Sequence, residues 1–188
     1  LRSRAELFAA APARAGDVVM LGDSLTEFAP WADLLGRPDV RNQGIAGDTV
    51  AGVGRRLPAA LAGPPRVVVL MIGINDLLQG MEPEALIAAQ RALIGRIRAE
   101  APGTRLIVQA LLPVHPHAMG VRHNPRIARV NAALQASAQA AGAEWLDLHP
   151  LLLEGAGLAS RFTYDGLHLS GAGYAAWVAA LGPQLGAP

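Results

Sequence analysis

The sequence contains no cysteine among its 188 residues. This absence excludes thiol catalysis, disulfide bonds and thiolate metal sites, although it leaves the cellular compartment open. No apolar run reaches the roughly 18 to 20 residues that a membrane-spanning helix needs. Charges are few and balanced, with 16 basic residues, 15 acidic residues and a formal net charge of +1. Because a nucleic-acid surface needs a concentrated basic face, we expect neither a membrane span nor a nucleic-acid partner.

Linkers, low-complexity tracts and internal repeats are also lacking, because the 21 glycines and 14 prolines are spread along the chain. Hydrophobic residues make up 52% of the sequence and charged residues 16%, which is typical of a folded globular protein. The length predicts a single domain over residues 1–188. The first residue is Leu1 and not Met. We therefore expect a soluble protein, either cytoplasmic or exported after removal of a targeting segment.

Five short segments have the composition of β-strands. They are Asp17–Leu21, Asp39–Asn42, Arg66–Ile72, Arg105–Leu111 and Glu144–Leu148. Segments of helical periodicity lie between or after them, at Glu84–Glu100, at Pro125–Ala141 with Asn124 as its cap, and beyond Ser170. Strands that alternate with helices predict a parallel sheet with helices on both faces.

Polar and glycine-rich motifs follow the predicted strands. Gly22-Asp23-Ser24 follows the first strand, Asn42–Thr49 the second and Gly73–Asp76 the third, and Asp165–His168 precedes the last helix. Each motif alone has a structural explanation as a helix cap or a turn, with Asp48 as a cap for example. Ligands of open parallel sheets, however, bind beyond the C-terminal ends of the strands, so these motifs are also the expected location of any chemistry.

The residue types at these positions match the needs of ester hydrolysis. Ser24 is the candidate nucleophile, and His168 is the candidate base that takes its proton. Asp165 lies three residues before His168, so that on one helical turn it can orient the imidazole. The candidate donors for the oxyanion are the backbone N–H groups of Ser24 and Gly47 and the side-chain amide of Asn75.

Four blocks of the chain resemble the SGNH (GDSL-type) hydrolases. They are GDSL at Gly22–Leu25, GIAGDT at Gly44–Thr49, GIND at Gly73–Asp76 and DGLHLSGAGY at Asp165–Tyr174. All four occur in the family order and span nearly the whole chain. The pattern is most similar to the branch of platelet-activating-factor acetylhydrolase catalytic subunits and their small bacterial relatives.

The resemblance implies a flavodoxin-like three-layer α/β/α sandwich around a central five-stranded parallel sheet. It also implies metal-independent serine esterase chemistry on acetyl-type esters without a cofactor. The implied catalytic residues are Ser24, Asp165 and His168, and Ser24, Gly47 and Asn75 form the implied oxyanion hole. Related proteins often dimerise, and the resemblance leaves a monomer and a homodimer open.

The sequence departs from the family pattern at one position and from larger hydrolases at another. Residue 74 is Ile where the family often has Thr, so a hydrogen bond from that hydroxyl is absent. Gly44 also lies in the second block, but the motif alignment assigns the oxyanion role to Gly47. The G-x-S-x-G elbow of the larger α/β-hydrolases is absent, because Leu25 follows Ser24.

Three other histidines, His115, His117 and His123, lie in the long connection Leu111–Pro125. A His-x-His pattern is one that metal sites use, but here no regular element fixes the two side chains and no nearby acid completes a ligand set. We expect this loop to lie over the sheet end and shape the site.

Four larger side chains are candidates for an acyl or alcohol pocket, although each is also typical of a core: Trp31, Met81, Phe162 and Tyr164. Asn131 falls on the apolar face of its predicted helix, which favours a structural, hydrogen-bonded role. Apart from the connection Leu111–Pro125, called the His-rich loop below, the connections after the strands are short or Gly-rich. Little chain is left to build a deep acyl tunnel, so we expect acetyl and butyryl esters to be preferred over long-chain esters.

Two alternatives accompany the short-chain esterase interpretation. A carbohydrate O-acetylesterase shares the chemistry and differs in the alcohol. A non-catalytic flavodoxin-like module that binds a phosphate or flavin belongs to another class and predicts a phosphate-cradling loop after the first strand. That position instead carries the acids of GDSLTE, and no Walker-type G-x-x-x-x-G-K-[ST] pattern exists in the sequence.

Overall fold

The computed structural model describes residues 2–186 and is built around a parallel sheet of five strands. The strands, in chain order, are β1 Val18–Gly22, β2 Val40–Gly44, β3 Val67–Met71, β4 Arg105–Gln109 and β5 Glu144–Leu146. Their order in the sheet is β2-β1-β3-β4-β5. Every predicted strand is present, with its ends within two residues of the predicted bounds.

Nine α-helices and a small hairpin accompany the sheet within the described residues. The helices are α1 Arg2–Ala10, α2 Ser24–Glu27, α3 Trp31–Leu35, α4 Val50–Leu61, α5 Ile74–Leu78, α6 Pro83–Glu100, α7 Val121–Ala140, α8 His149–Leu152 and α9 Gly171–Leu181. The hairpin pairs β6 Leu153–Glu154 with β7 Gly157–Leu158. Helices α4, α6 and α7 pack side by side, while α3 and α8 contact α9. The predicted flavodoxin-like α/β/α sandwich is confirmed.

The strand order places one crevice at the centre of the sheet. The chain passes from β1 outward to β2 and then returns to β3 on the other side of β1. Loops that leave neighbouring strands in opposite directions open a crevice at their C-terminal ends, and ligands of this fold class bind there. Ser24 lies two residues after the end of β1 and Asn75 four residues after the end of β3, so both residues border this crevice.

The core fills both faces of the sheet. β1 and β3 are buried along their whole length, as their continuous apolar sequences require. Trp31 is also part of the core, with 1% of its surface exposed and its ring 4.8 Å from that of Trp177. Its indole N–H donates to the Thr26 carbonyl at 2.7 Å. Of the two roles left open for Trp31, the core role is therefore the one observed, because its ring packs α3 against α9.

Two predicted helix caps are wrong. Helix α7 begins at Val121, four residues before Pro125, so Asn124 lies inside it. The Asn124 side chain instead accepts from the Val114 N–H and donates to the Val114 carbonyl, fastening the preceding loop. Helix α4 is capped by Thr49, whose hydroxyl accepts from the Gly52 N–H, while the Asp48 carboxylate has another partner.

Between residues 2 and 186, no helix is both long enough and apolar enough to cross a membrane. One continuous cluster of buried side chains extends from Ala13 to Leu185. The single domain over residues 1–188 stays a prediction, and positions 1, 187 and 188 lie outside the described residues.

Candidate active site

Ser24 stands at the first position of α2, immediately beyond the end of β1. The preceding Asp23 caps this short helix by accepting from the Leu25 N–H at 3.0 Å. From the other side, the buried Tyr174 hydroxyl donates to the Leu25 carbonyl at 2.9 Å. Ser24 is 5% exposed, so its position is fixed by the sheet, the cap and α9 together.

The His168 ring joins Ser24 to Asp165. Its Nε2 atom lies 3.0 Å from Ser24 Oγ, and its Nδ1 atom lies 2.6 Å from Asp165 Oδ2. Asp165 and His168 lie in a bend closed by an antiparallel bridge between Thr163 and Leu169. The helical turn expected for this pair is wrong, although the three-residue spacing does bring the two side chains together.

The Asp165 carboxylate is stabilised in its charged form. Partial burial opposes its ionisation, but hydrogen bonds from the His168 ring and from the backbone N–H groups of Leu167 and His168 outweigh this effect. Together they hold the pKa of Asp165 below its ordinary value. An ionised carboxylate at Nδ1 favours the imidazole tautomer whose Nε2 accepts a proton.

Gly47 and Asn75 are brought together by Asp48. The Asn75 amide nitrogen donates to the Asp48 carbonyl at 2.9 Å, which fixes the orientation of that amide beside the Gly47 loop. Gly47 has a φ of 75°, a left-handed conformation that favours glycine. The residues predicted as oxyanion donors thus follow three neighbouring strands: Ser24 after β1, Gly47 after β2 and Asn75 after β3.

A buried charged cluster beneath these loops was not predicted. Arg56 is 8% exposed, and Asp23, Asp48 and Asp76 are all buried. The Arg56 Nε donates to Asp48 Oδ2 at 2.8 Å, and Asp76 Oδ2 accepts from the Val50 N–H at 3.1 Å. A sequence signal for this cluster exists, because Arg56 falls among the apolar positions of α4 that face the core.

Burial dominates the protonation of Asp23. Its pKa is raised from 3.8 to about 7, chiefly by removal from water; the hydrogen bond from Leu25 opposes this rise, and the neighbouring charges of Asp48 and Asp76 add to it. Burial also raises the pKa of Asp76. The site therefore favours an uncharged Asp23 in slightly acidic solution.

We predict that Asp23→Asn removes a pH dependence of folding stability. A raised carboxyl pKa stabilises the fold at low pH, and this contribution is lost as pH rises from the unfolded value near 4 to the folded value of about 7. Asparagine keeps the oxygen that accepts from Leu25 but does not titrate. Relative to wild type, the variant should gain on the order of 4 kcal/mol of unfolding free energy between pH 4 and pH 8. Urea unfolding at several pH values measures this difference, and a constant difference contradicts the raised pKa.

An apolar groove of about 310 Å³ lies between α4 and α6, next to the Asn75 segment. Val50, Asp76, Met81, Ala89 and Leu93 are among its lining residues. Met81 lines this groove, and its role in an acyl or alcohol pocket stays a prediction. Phe162 instead packs against the hydrophobic core.

A second, more polar cavity of about 430 Å³ lies beside Asp165, with His115, His117, Ser160 and Tyr164 in its lining. The ring atom Nε2 of His115 lies 3.1 Å from Ser160 Oγ, and the backbone N–H of His115 donates to the Gly166 carbonyl at 2.8 Å. The His-rich loop thus contacts the bend that carries Asp165, as predicted. In residues 2–186, no three His, Cys, Asp or Glu side chains are grouped so as to hold a metal ion.

Two exposed aromatic rings flank His168. Tyr164 is 66% exposed and stacks on the His168 ring at 6.0 Å between centroids, while Phe28 is 47% exposed and lies 5.2 Å away. Phe28 was missed in the sequence. Its position four residues after Ser24, which places it on the nucleophile's side of one helical turn, is the signal that identifies it.

The predicted role of Asn131 is confirmed. Its Oδ1 accepts from the Leu111 N–H at 2.8 Å and its Nδ2 donates to the Leu111 carbonyl at 2.9 Å. It thereby satisfies both backbone groups of the residue that begins the His-rich loop.

Comparison with known proteins finds similar sequences. The model of the GDSL-like Lipase/Acylhydrolase family matches residues 20–176. Esterase TesA of Pseudomonas aeruginosa is 36% identical over 131 residues, which cover 69% of this chain and 60% of that protein. The chain thus spans about three fifths of the length of this curated relative.

Solved structures share the fold over almost the whole chain. A protein from Streptococcus pneumonia, provisionally named a platelet activating factor, superposes with a TM-score of 0.87 and 27% identity, covering 98% of this chain and 90% of its own. The acetylxylan esterase Axe2 from Geobacillus stearothermophilus has a TM-score of 0.74 and 18% identity, covering 94% of this chain and 97% of its own. At that lower identity, the second likeness concerns the fold alone.

Proposed function

Because the chain belongs to the GDSL-like Lipase/Acylhydrolase family, we propose that it is a serine esterase of short-chain carboxylic esters. One observation carries this proposal: Ser24, His168 and Asp165 form a continuous hydrogen-bonded chain, with distances of 3.0 and 2.6 Å, at the C-terminal edge of the sheet. A binding module has no need of a serine hydroxyl in contact with an imidazole that a carboxylate orients. In a serine hydrolase, this arrangement activates the hydroxyl that forms the covalent acyl-enzyme.

Acylation begins when Ser24 Oγ attacks the carbonyl carbon of the ester while His168 Nε2 takes the hydroxyl proton. Asp165 stabilises the imidazolium that forms. The carbonyl oxygen becomes an oxyanion and accepts hydrogen bonds from the backbone N–H groups of Ser24 and Gly47 and from the Asn75 amide. The bond between carbon and the alcohol oxygen then breaks, and His168 returns its proton to the departing alcohol.

Deacylation repeats these steps with water as the nucleophile. His168 Nε2 takes a proton from the water as its oxygen attacks the acyl carbon, and the same three donors stabilise the second oxyanion. Collapse of this intermediate breaks the bond to Ser24 Oγ, which recovers its proton from His168. The products are a carboxylic acid and the free enzyme.

We expect short acyl groups to be preferred. The segments after β1 and β3 pass directly into α2 and α5, so they supply little chain to enclose a long acyl group. On p-nitrophenyl esters, kcat/KM should be highest for acetyl and butyryl groups and at least about tenfold lower for decanoyl, a barrier difference of about 1.4 kcal/mol. Ser24→Ala measured on each ester gives the blank. A maximum at decanoyl would contradict the proposal.

A carbohydrate O-acetylesterase is the second candidate function, and the polar cavity beside Asp165 favours it. Imidazole, hydroxyl and phenol groups of His115, Ser160 and Tyr164 line this cavity, and such groups both donate and accept hydrogen bonds. Equal rates on p-nitrophenyl acetate and on an acetylated oligosaccharide support this candidate. Hydrolysis of the phenyl ester alone supports a simple short-chain esterase.

A further inference from the structure

Arg56 contacts the ends of two strands that carry the proposed oxyanion donors. Its Nη2 donates to the Gly22 carbonyl at 2.8 Å, at the end of β1. Its Nη1 donates to the Gln43 carbonyl at 2.7 Å, in the last part of β2. Its Nε donates to the Asp48 carboxylate at 2.8 Å. All three donor atoms of this buried guanidinium therefore have acceptors.

These acceptors lie close to the oxyanion donors in the chain. Gly22 precedes Ser24 by two residues, and Asp48 directly follows Gly47. The Asp48 carbonyl in turn accepts from the Asn75 amide at 2.9 Å. One side chain thus contacts the Ser24 and Gly47 segments directly and the Asn75 amide through Asp48.

Gly52 makes room for this arrangement. A Cβ atom at position 52 would lie 1.6 Å from Asp48 Oδ1 and 2.7 Å from its Cγ. The Asp48 carboxylate consequently occupies the space that any other residue would fill. Its contact with Arg56 depends on a glycine at this point of α4.

We propose that Arg56 is a positioning residue that sets the relative placement of the three oxyanion donors. This inference rests on the proposed esterase function. Oxyanion stabilisation depends on donors held within a few tenths of an ångström of their productive positions, because the charge develops only in the transition state. A planar guanidinium with donors in a fixed fork suits this task, and a lysine ammonium cannot reproduce its three directions.

The first experiment compares Arg56→Lys with wild type on p-nitrophenyl acetate. We expect kcat to fall by about 10- to 100-fold while KM changes less than about threefold, because ground-state binding depends little on these donors. Arg91→Lys is the matched control, since Arg91 is exposed on α6, and its kcat should equal that of wild type. A folded Arg56→Lys variant with kcat within twofold of wild type overturns the proposal.

A double-mutant comparison separates positioning from a general loss of stability. If Arg56 places the donors, Asn75→Ala should lower kcat less than tenfold in the Arg56→Lys background, against about 10²–10³-fold in wild type. Independent effects, with the full Asn75 loss retained in both backgrounds, contradict the proposal.

Gly52→Ala provides a test that leaves Arg56 intact. It therefore applies even if the Arg56→Lys variant does not fold. Its Cβ displaces the Asp48 carboxylate, so kcat should again fall with KM preserved. Gly95→Ala on α6 is its control, because a Cβ there meets no atom within 4 Å. An unchanged kcat in Gly52→Ala overturns the proposal. Turnover by wild type that Ser24→Ala abolishes establishes the esterase function whatever these variants show.

Discussion

Ser24→Ala should lower kcat/KM for p-nitrophenyl acetate by about 10⁴-fold or more, because the covalent route disappears with the hydroxyl. The fold should survive. Ser24 is held mainly by the Asp23 cap and by the Tyr174 hydrogen bond to Leu25, and neither contact involves the Ser24 hydroxyl. Steady-state kinetics beside a thermal melt of the same preparation measures both quantities.

Ser137→Ala is the matched control for this variant. Ser137 is also buried, and its hydroxyl donates to the Ala133 carbonyl inside α7. Its removal should leave kcat/KM unchanged. If Ser24→Ala retains more than about a tenth of the wild-type rate, its barrier has risen by less than about 1.4 kcal/mol and Ser24 is not the nucleophile.

Asn75→Ala should lower kcat by roughly 10²–10³-fold, or about 3 to 4 kcal/mol, the scale measured for a single oxyanion donor. KM should change little, because the amide bonds most strongly to the charge that develops in the transition state. The contact that orients this amide is a single hydrogen bond from the side chain to the backbone carbonyl of Asp48, at 2.9 Å. Its loss should lower the melting temperature only modestly, since such a bond contributes about 1 kcal/mol.

Asn131→Ala gives the opposite pattern and serves as the control. Asn131 bonds both backbone groups of Leu111, so its removal should lower the melting temperature and preserve kcat. If Asn75→Ala behaves like Asn131→Ala, with a reduced melting temperature and an intact kcat, Asn75 is a turn residue and the oxyanion depends on Ser24 and Gly47 alone.

The sequence predicted the fold well because its signals are local. The continuous apolar run of β3 and the alternation of strands with helices determine a parallel sheet, and the crevice beside β1 follows from strand order. Errors arose where distant partners override local preference. Asn124 has the composition of a cap, but its side chain bonds the backbone of Val114 ten residues earlier, and the helix starts before it.

The candidate site likewise contains residues that the sequence identifies and residues that it does not. Ser24, Asp165 and His168 stand in short motifs, and a nucleophile, a base and an orienting acid have recognisable residue types. Arg56 carries no such motif. Its role depends on the carbonyls of Gly22 and Gln43, which belong to two different strands, lie 34 and 13 residues before Arg56, and come together only in the folded sheet. Pairing of that kind is set by tertiary structure, so periodicity indicates only an arginine on an apolar face.

The most direct test of the central claim is covalent labelling with a fluorophosphonate, followed by mass spectrometry of the digested protein. A fluorophosphonate reacts with an activated serine by forming an O–P bond and releasing fluoride, and a serine without a base remains unlabelled. We predict one adduct per chain, located on Ser24 and absent in Ser24→Ala. Ester turnover with no adduct on Ser24, or with an adduct on another residue, would contradict the assignment of Ser24 as the nucleophile.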